Sequence, residues 1–165
     1  TEARRCRYAA LLPAAVVGAP DVFVSHQWAS PFHQLLENLR ISLGDLVKRM
    51  ERDGEAPPAV DDLRVWLDIF AVNQNRGAGQ AEDLANLKEA VARARHGTLM
   101  VFDAEGLILK RVWCLYEVQH TVLAGKELRL AVHNIDGDDM WKQFQNLNIA
   151  RAAATVERDR ERIVE

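Results

Sequence analysis

Cysteine is scarce. The chain of 165 residues holds two, Cys6 and Cys114. They lack the paired spacing of a zinc site or a disulfide framework, so no metal is expected and a reduced, cytoplasmic setting fits. Long hydrophobic runs are missing as well. No stretch approaches the ~20 apolar residues that a membrane-spanning helix needs, so no membrane partner is expected. Charge of one sign is not in excess either: 21 basic residues face 24 acidic ones, for a net charge of −3. Without a basic stripe there is no nucleic-acid footprint, and no nucleic acid is expected as a partner. Glycine is present only nine times. Gly77 and Gly79 do not make a phosphate loop, because no lysine follows in the required place and no strand directly precedes them.

What remains is an ordinary globular composition, 48% hydrophobic and 27% charged, in a length that suits one domain. Residues 1–20 begin with Arg4-Arg5-Cys6-Arg7 and continue into an apolar, alanine-rich run. A basic start and a short apolar stretch superficially resemble a signal peptide. The run leads almost directly into a strand, however, and a peripheral segment packed on the domain is the better reading. Because the chain starts at Thr1, it reads as a piece of something longer.

Strands alternate with helices from there on. Asp21 to Ser25 is a buried strand after Gly18 and Pro20. Ser30-Pro31 starts a long amphipathic helix carrying Phe32, Leu35, Leu36, Leu39, Leu43, Leu46, Val47 and Met50, ending before Gly54. Leu63 to Phe70 is a second strand. The polar, glycine-rich Asn73 to Gln80 is an exposed, mobile loop. One helix then runs from about Ala81 to Arg95, with Leu84, Leu87, Val91 and Ala94 on one face. Thr98 to Phe102 and Leu128 to Val132 are further strands. Between them lies a helix around Trp113, closed by Gly125, and Asp136 caps a last one. This order predicts an α/β fold: a parallel sheet of four to five strands with helices on both faces. The domain spans 21–149, and 150–165 is a C-terminal helix or the start of a linker. Ligand sites in such sheets lie past the carboxyl ends of the strands. That places Ser25, His26, Gln27 and Trp28 near the site, with Asp68 to Asn75 and Asp103 to Trp113.

The most informative stretch is Arg111-Val112-Trp113-Cys114-Leu115-Tyr116-Glu117-Val118. At 100° per residue, Trp113, Glu117, His120 and Ala124 share a stripe, and Leu115, Val118 and Val122 lie opposite. The large aromatic therefore points with the acid and away from the aliphatics. A ring one helical turn from a carboxylate can stack a base or sugar beside a group that stabilises positive charge. The bland alternative is a solvated surface acid beside a Trp that covers a neighbouring loop.

Several of these segments together resemble the TIR (Toll/interleukin-1 receptor) domain family. Asp21-Val22-Phe23-Val24-Ser25 is similar to its opening strand motif, and Trp66-Leu67-Asp68 to its second-strand acid. Leu87 to Ala94 looks like the helix before its fourth strand. Trp113-Cys114-Leu115-Tyr116-Glu117 looks like the Trp-Cys-Leu-x-Glu motif of plant-type members. The segments Ser25 to Phe32 and Asp68 to Gln74 suggest a divergent branch, and the second, with Trp113 to Glu117, is also similar to heterokaryon-incompatibility domains. Gln27 or Trp28 stands where many enzymatic members have a basic residue.

The resemblance implies a flavodoxin-like TIR fold and an NAD glycohydrolase that cuts the bond between nicotinamide and ribose in immune or cell-death signalling. It implies Glu117 as the catalytic carboxylate. Trp113, Ser25, His26, Gln27, Trp28 and Asp68 become substrate-contacting candidates. NAD is then a substrate, and no cofactor is implied. Self-association with other TIR domains is the expected partner mode, with the Asn73 to Gln80 loop as the contact. A non-catalytic TIR adaptor that acts by homotypic assembly is the alternative, since one fold hosts both.

Overall fold

The computed structural model describes residues 4–75, 78–103, 105–133 and 135–146, with side chains from 78 to 81 left aside. The expected C-terminal helix at 150–165 and the glycine at 77 lie outside the described residues.

Four strands form one parallel sheet: β1 (Val22–Ser25), β2 (Val65–Trp66), β3 (Thr98–Val101) and β4 (Leu128–Ala131), in the order β2-β1-β3-β4. The helices are α1 (Phe32–Arg52), α2 (Asp68–Ala71), α3 (Ala78–Ala85), α4 (Leu87–Arg93), α5 (Val112–Leu123) and α6 (Gly137–Gln145). The chain is therefore α/β, as its alternating pattern predicts. No fifth strand occurs among the described residues.

Strand alternation distributes the core over two faces. Val22 and Val24 of β1, with Leu99 and Val101 of β3, turn toward α1. There they meet Leu35, Leu39, Leu43, Leu46 and Met50, which recur every three to four residues along the helix. Fully burying each such side chain stabilises the fold by about 1.5–3 kcal/mol before entropy is charged. Phe32 and Leu36, expected on this face, are instead 43% and 44% exposed, and Phe32 meets the Phe70 ring edge-on at 6.1 Å. On the opposite face Phe23 packs against Leu87, Val91 and Ala94. Met100 packs with Phe102, Ile108, Leu109 and Cys114, and Met140 and Phe144 of α6 close that cluster.

Two elements depart from the sequence reading. The second strand has two residues, not eight: it sits at the sheet edge, paired only to β1, and after Leu67 the chain turns into α2. Asp68 starts that turn, where a carboxylate suits the exposed N–H groups. The helix expected from Ala81 to Arg95 starts earlier and is broken in two at Asn86. The polar loop after α2 is correspondingly shorter, and Asn73 within it is buried and donates to the Arg5 carbonyl at 2.9 Å. Asn73 is thus engaged by the N-terminal segment, while Gln74 stays exposed and donates to the Asp68 and Val72 carbonyls.

Two glycines set the turns next to the central strand. Gly97 has φ +76°, and a Cβ there would stand 2.1 Å from the Glu127 carbonyl oxygen. Gly125 (φ +62°) ends α5, with its own N–H to Val122 and the Lys126 N–H to Thr121, a Schellman closure. None of the described helices is long and apolar enough to cross a membrane.

Candidate functional site

In this strand order the chain leaves the sheet in opposite directions from β1 and β3, so their carboxyl ends flank a switch point. Ser25 is the last residue of β1 and fully buried; His26 follows at 5% exposure. Asp68 opens α2 just past β2. Glu117 comes from α5, which covers the face opposite α1. Its neighbours along that buried side are Cys114 one turn before and Thr121 one turn after.

These groups form one polar cluster. Trp28 Nε1 donates to Asp68 Oδ2. His26 Nδ1 lies 3.6 Å from Asp68 Oδ1. Arg111 Nη1 donates to the His26 carbonyl at 3.0 Å, and the same guanidinium stands 5.3 Å from the centre of the Trp28 ring. Four buried atoms within it have no hydrogen-bond partner: Ser25 Oγ, His26 Nε2, Asp68 Oδ1 and Glu117 Oε2. Such atoms cost about 1–3 kcal/mol each when left unpaired, so their concentration at one place is not what stability alone would select.

Burial decides the electrostatics. It pushes the Glu117 carboxyl up to about 8, with Asp68 adding to the rise while Ser25 and Arg111 oppose it. The Ser25 hydroxyl is thus a neighbour of the carboxyl, yet neither it nor Glu117 Oε2 has a hydrogen bond of proper geometry. Glu117 is therefore mostly neutral at pH 7. His26 is lowered by burial and by Arg111, against the pull of Asp68, and is a neutral imidazole at that pH. Burial, reinforced by Glu117, raises the Cys114 thiol, which makes it a poor nucleophile.

The placement of Glu117 corrects the stripe argument. It is 7% exposed and faces the sheet, whereas Val122, assigned to the aliphatic side, is 66% exposed. The buried side of α5 is Val112, Cys114, Glu117 and Thr121, a mixed polar and apolar stripe. It is mixed because Thr98 on β3 meets Thr121 at 2.6 Å and Ser25 lies in the same layer. Trp113 goes elsewhere: it packs on the Phe23, Leu87 and Val91 cluster and meets the Tyr116 ring edge-on at 5.8 Å. His120 lies against Tyr116, with ring centres 4.2 Å apart. The structure thus gathers Ser25, His26, Trp28, Asp68 and Glu117. Gln27 lines a neighbouring cleft, and Trp113 belongs to an apolar cluster.

Arg111 is the member that the sequence reading passed over. Its signal was weak, a cation just before an aromatic-rich helix, and its partners His26 and Trp28 are more than eighty residues away in the chain. Among the described residues no group of three or more His, Cys, Asp or Glu side chains is arranged to hold a metal ion. Comparison of the chain with protein families, with curated proteins and with solved structures finds no match.

Proposed function

We propose that this chain carries a divergent, flavodoxin-like TIR domain that acts as an NAD glycohydrolase in cytoplasmic immune or cell-death signalling and is activated by self-association. The observation that carries the reading is the Glu117 carboxyl on α5, set beside Ser25 and Asp68 at the carboxyl end of a central strand. Further support comes from the parallel β2-β1-β3-β4 order and from two cysteines that are both free thiols.

The chemistry follows from charge. Cleavage sends the bonding pair of the ribose–nicotinamide bond onto the ring nitrogen, which loses its positive charge and leaves as neutral nicotinamide. Charge builds on the ribose, and a carboxylate held in a dry site stabilises it. Water then adds to the anomeric carbon and gives up a proton. A resting Glu117 that is neutral becomes the carboxylate when a cationic ring arrives beside it, since an adjacent positive charge favours ionisation. Asp68 adds negative potential, and the Trp28 indole supplies a flat apolar surface.

One observation favours the adaptor reading instead. Glu117 is nearly closed off, and it does not line the cleft at the end of the sheet. Catalysis then requires that assembly open the way to it. The test is release of nicotinamide from NAD by concentrated or surface-clustered protein. Turnover is expected, and Glu117→Gln should lower it at least ~100-fold. A folded, clustered sample with no more turnover than buffer would leave the adaptor.

A further inference from the structure

Past Ser25 the ladder between β1 and β3 stops, and residues 27–30 are left half-buried or exposed, Trp28 at 49%. Among the described residues their only backbone hydrogen bond runs from the Ser30 N–H to the Gln27 carbonyl, at 3.3 Å. Side chains from two other elements hold this segment down instead. Arg111, just before α5, donates Nη1 to the His26 carbonyl at 3.0 Å and stands 5.3 Å from the centre of the Trp28 ring. Asp68, the first residue of α2, accepts the Trp28 Nε1–H. Trp28 thus ties α2 to the start of α5.

The same carbonyl rests on the first turn of α5, where the Cys114 thiol also donates to it at 3.6 Å. Cys114 and Glu117 follow Arg111 at three-residue spacings, so they continue one side of the helix. They are 2% and 7% exposed. The groups whose charge or hydrogen bonding acts on the Glu117 carboxyl are Ser25, Asp68 and Arg111, which are the root of the segment and its two anchors. The His26 ring is buried and stays in place as the segment moves. Its carbonyl belongs to the peptide plane shared with Gln27, so that oxygen travels with residues 27–30.

We propose that residues 27–30 are a lid over Cys114 and Glu117, hinged at His26, and that Arg111 is the positioning residue that keeps it shut, with Trp28 as its strut. One guanidinium holds both the carbonyl and the ring, so losing it frees the segment as a unit. Water and ligands then reach the two buried groups without global unfolding. Arg111 touches no reacting atom in this scheme and acts through the lid. The inference deepens the NAD reading and rests on it for what the opening admits; the opening itself is measured without NAD.

Cys114 lies under the lid, so its rate of labelling by N-ethylmaleimide reads the opening. Cys6→Ser removes the other thiol and serves as the background. Arg111→Gln should label at least ~10-fold faster, because a hydrogen bond from a charged donor is lost. Trp28→Phe keeps a ring for the guanidinium and loses the N–H to Asp68; it should label at least ~3-fold faster. A lid exposes little surface, so these gains should hardly change with low urea, whereas exposure by global unfolding rises steeply with it. If Arg111→Gln fails to fold, Trp28→Phe decides, since it alters an exposed ring. The proposal is overturned if either folded variant labels at the natural rate, or if the gain grows with urea as global unfolding does. Dilute Trp28→Phe should also release nicotinamide from NAD faster than the dilute natural chain. Faster labelling with no turnover by either protein, even when clustered, keeps the lid and removes the NAD reading. Turnover with labelling unmoved keeps the NAD reading and overturns the lid.

Discussion

Glu117→Gln should remove the pH dependence of stability that the buried carboxyl imposes. The side chain keeps its shape in the variant and loses its proton equilibrium. In the folded protein Glu117 titrates at about 8, against an ordinary 4.5. Between those values the unfolded chain has released the proton and the folded chain still holds it. Stability from this group is therefore fully present below about pH 4.5 and is lost as pH rises toward 8. Each pH unit of that window is worth about 1.4 kcal/mol, which sets a ceiling near 5 kcal/mol. Relaxation and water entry around a buried charge make a loss of about 2–4 kcal/mol the working expectation. Denaturant unfolding of both proteins at pH 5, 6, 7 and 8 gives the difference directly. All other ionisable groups are common to both chains and cancel. The variant should gain on the natural protein steadily from pH 5 to 8 and level off above. Parallel curves would mean that Glu117 is solvated and ionised at neutral pH, and the account of a buried, neutral acid would fall.

Asp68→Asn should lower the Glu117 titration point below about 8, since Asp68 pushes it up; a carboxyl carbon NMR titration reads this directly, and an unchanged or higher midpoint would refute the coupling. Gly97→Ala should cost at least ~2 kcal/mol, because the position combines φ +76° with a backbone oxygen where the methyl would go; in a chain of this size that is a fall in Tm of roughly 4 °C or more, and a smaller fall would mean the turn can move aside.

Much of the fold is legible in local pattern. Leucines at spacings of three, four and seven mark α1, and four of its five buried residues are leucines from that run. Asp136 reads as a cap and is one, accepting the Asp138 N–H at 2.8 Å. Gly125 reads as the end of α5 and takes the left-handed conformation there. The errors have a common cause. The eight-residue second strand failed because an edge position offers only β1 as a partner, and Leu63 to Phe70 is apolar enough to read as a strand or as a turn of helix. The single helix from Ala81 failed because a break at Asn86 has no proline or glycine to announce it.

The amino-acid sequence by itself determined the α/β class, the number of clear strands and the residues flanking their carboxyl ends, because periodicity and turn chemistry act over a few neighbours. It also singled out Ser25, His26, Gln27, Trp28, Asp68, Trp113 and Glu117, of which Gln27 lines a neighbouring cleft and Trp113 joins an apolar cluster. Only the tertiary structure decided which way they face. A helix projection ranks stripes by hydrophobicity, and on α5 that ranking turns the aliphatics inward. The sheet beneath α5 instead offers Ser25 and Thr98, so a stripe of Cys114, Glu117 and Thr121 is buried while Val122 and Leu123 stay in solvent. The raised Glu117 proton affinity and the Arg111 contact with His26 and Trp28 both depend on groups distant in the chain. Desolvation and Coulomb interaction act through space, and local sequence pattern carries no record of them.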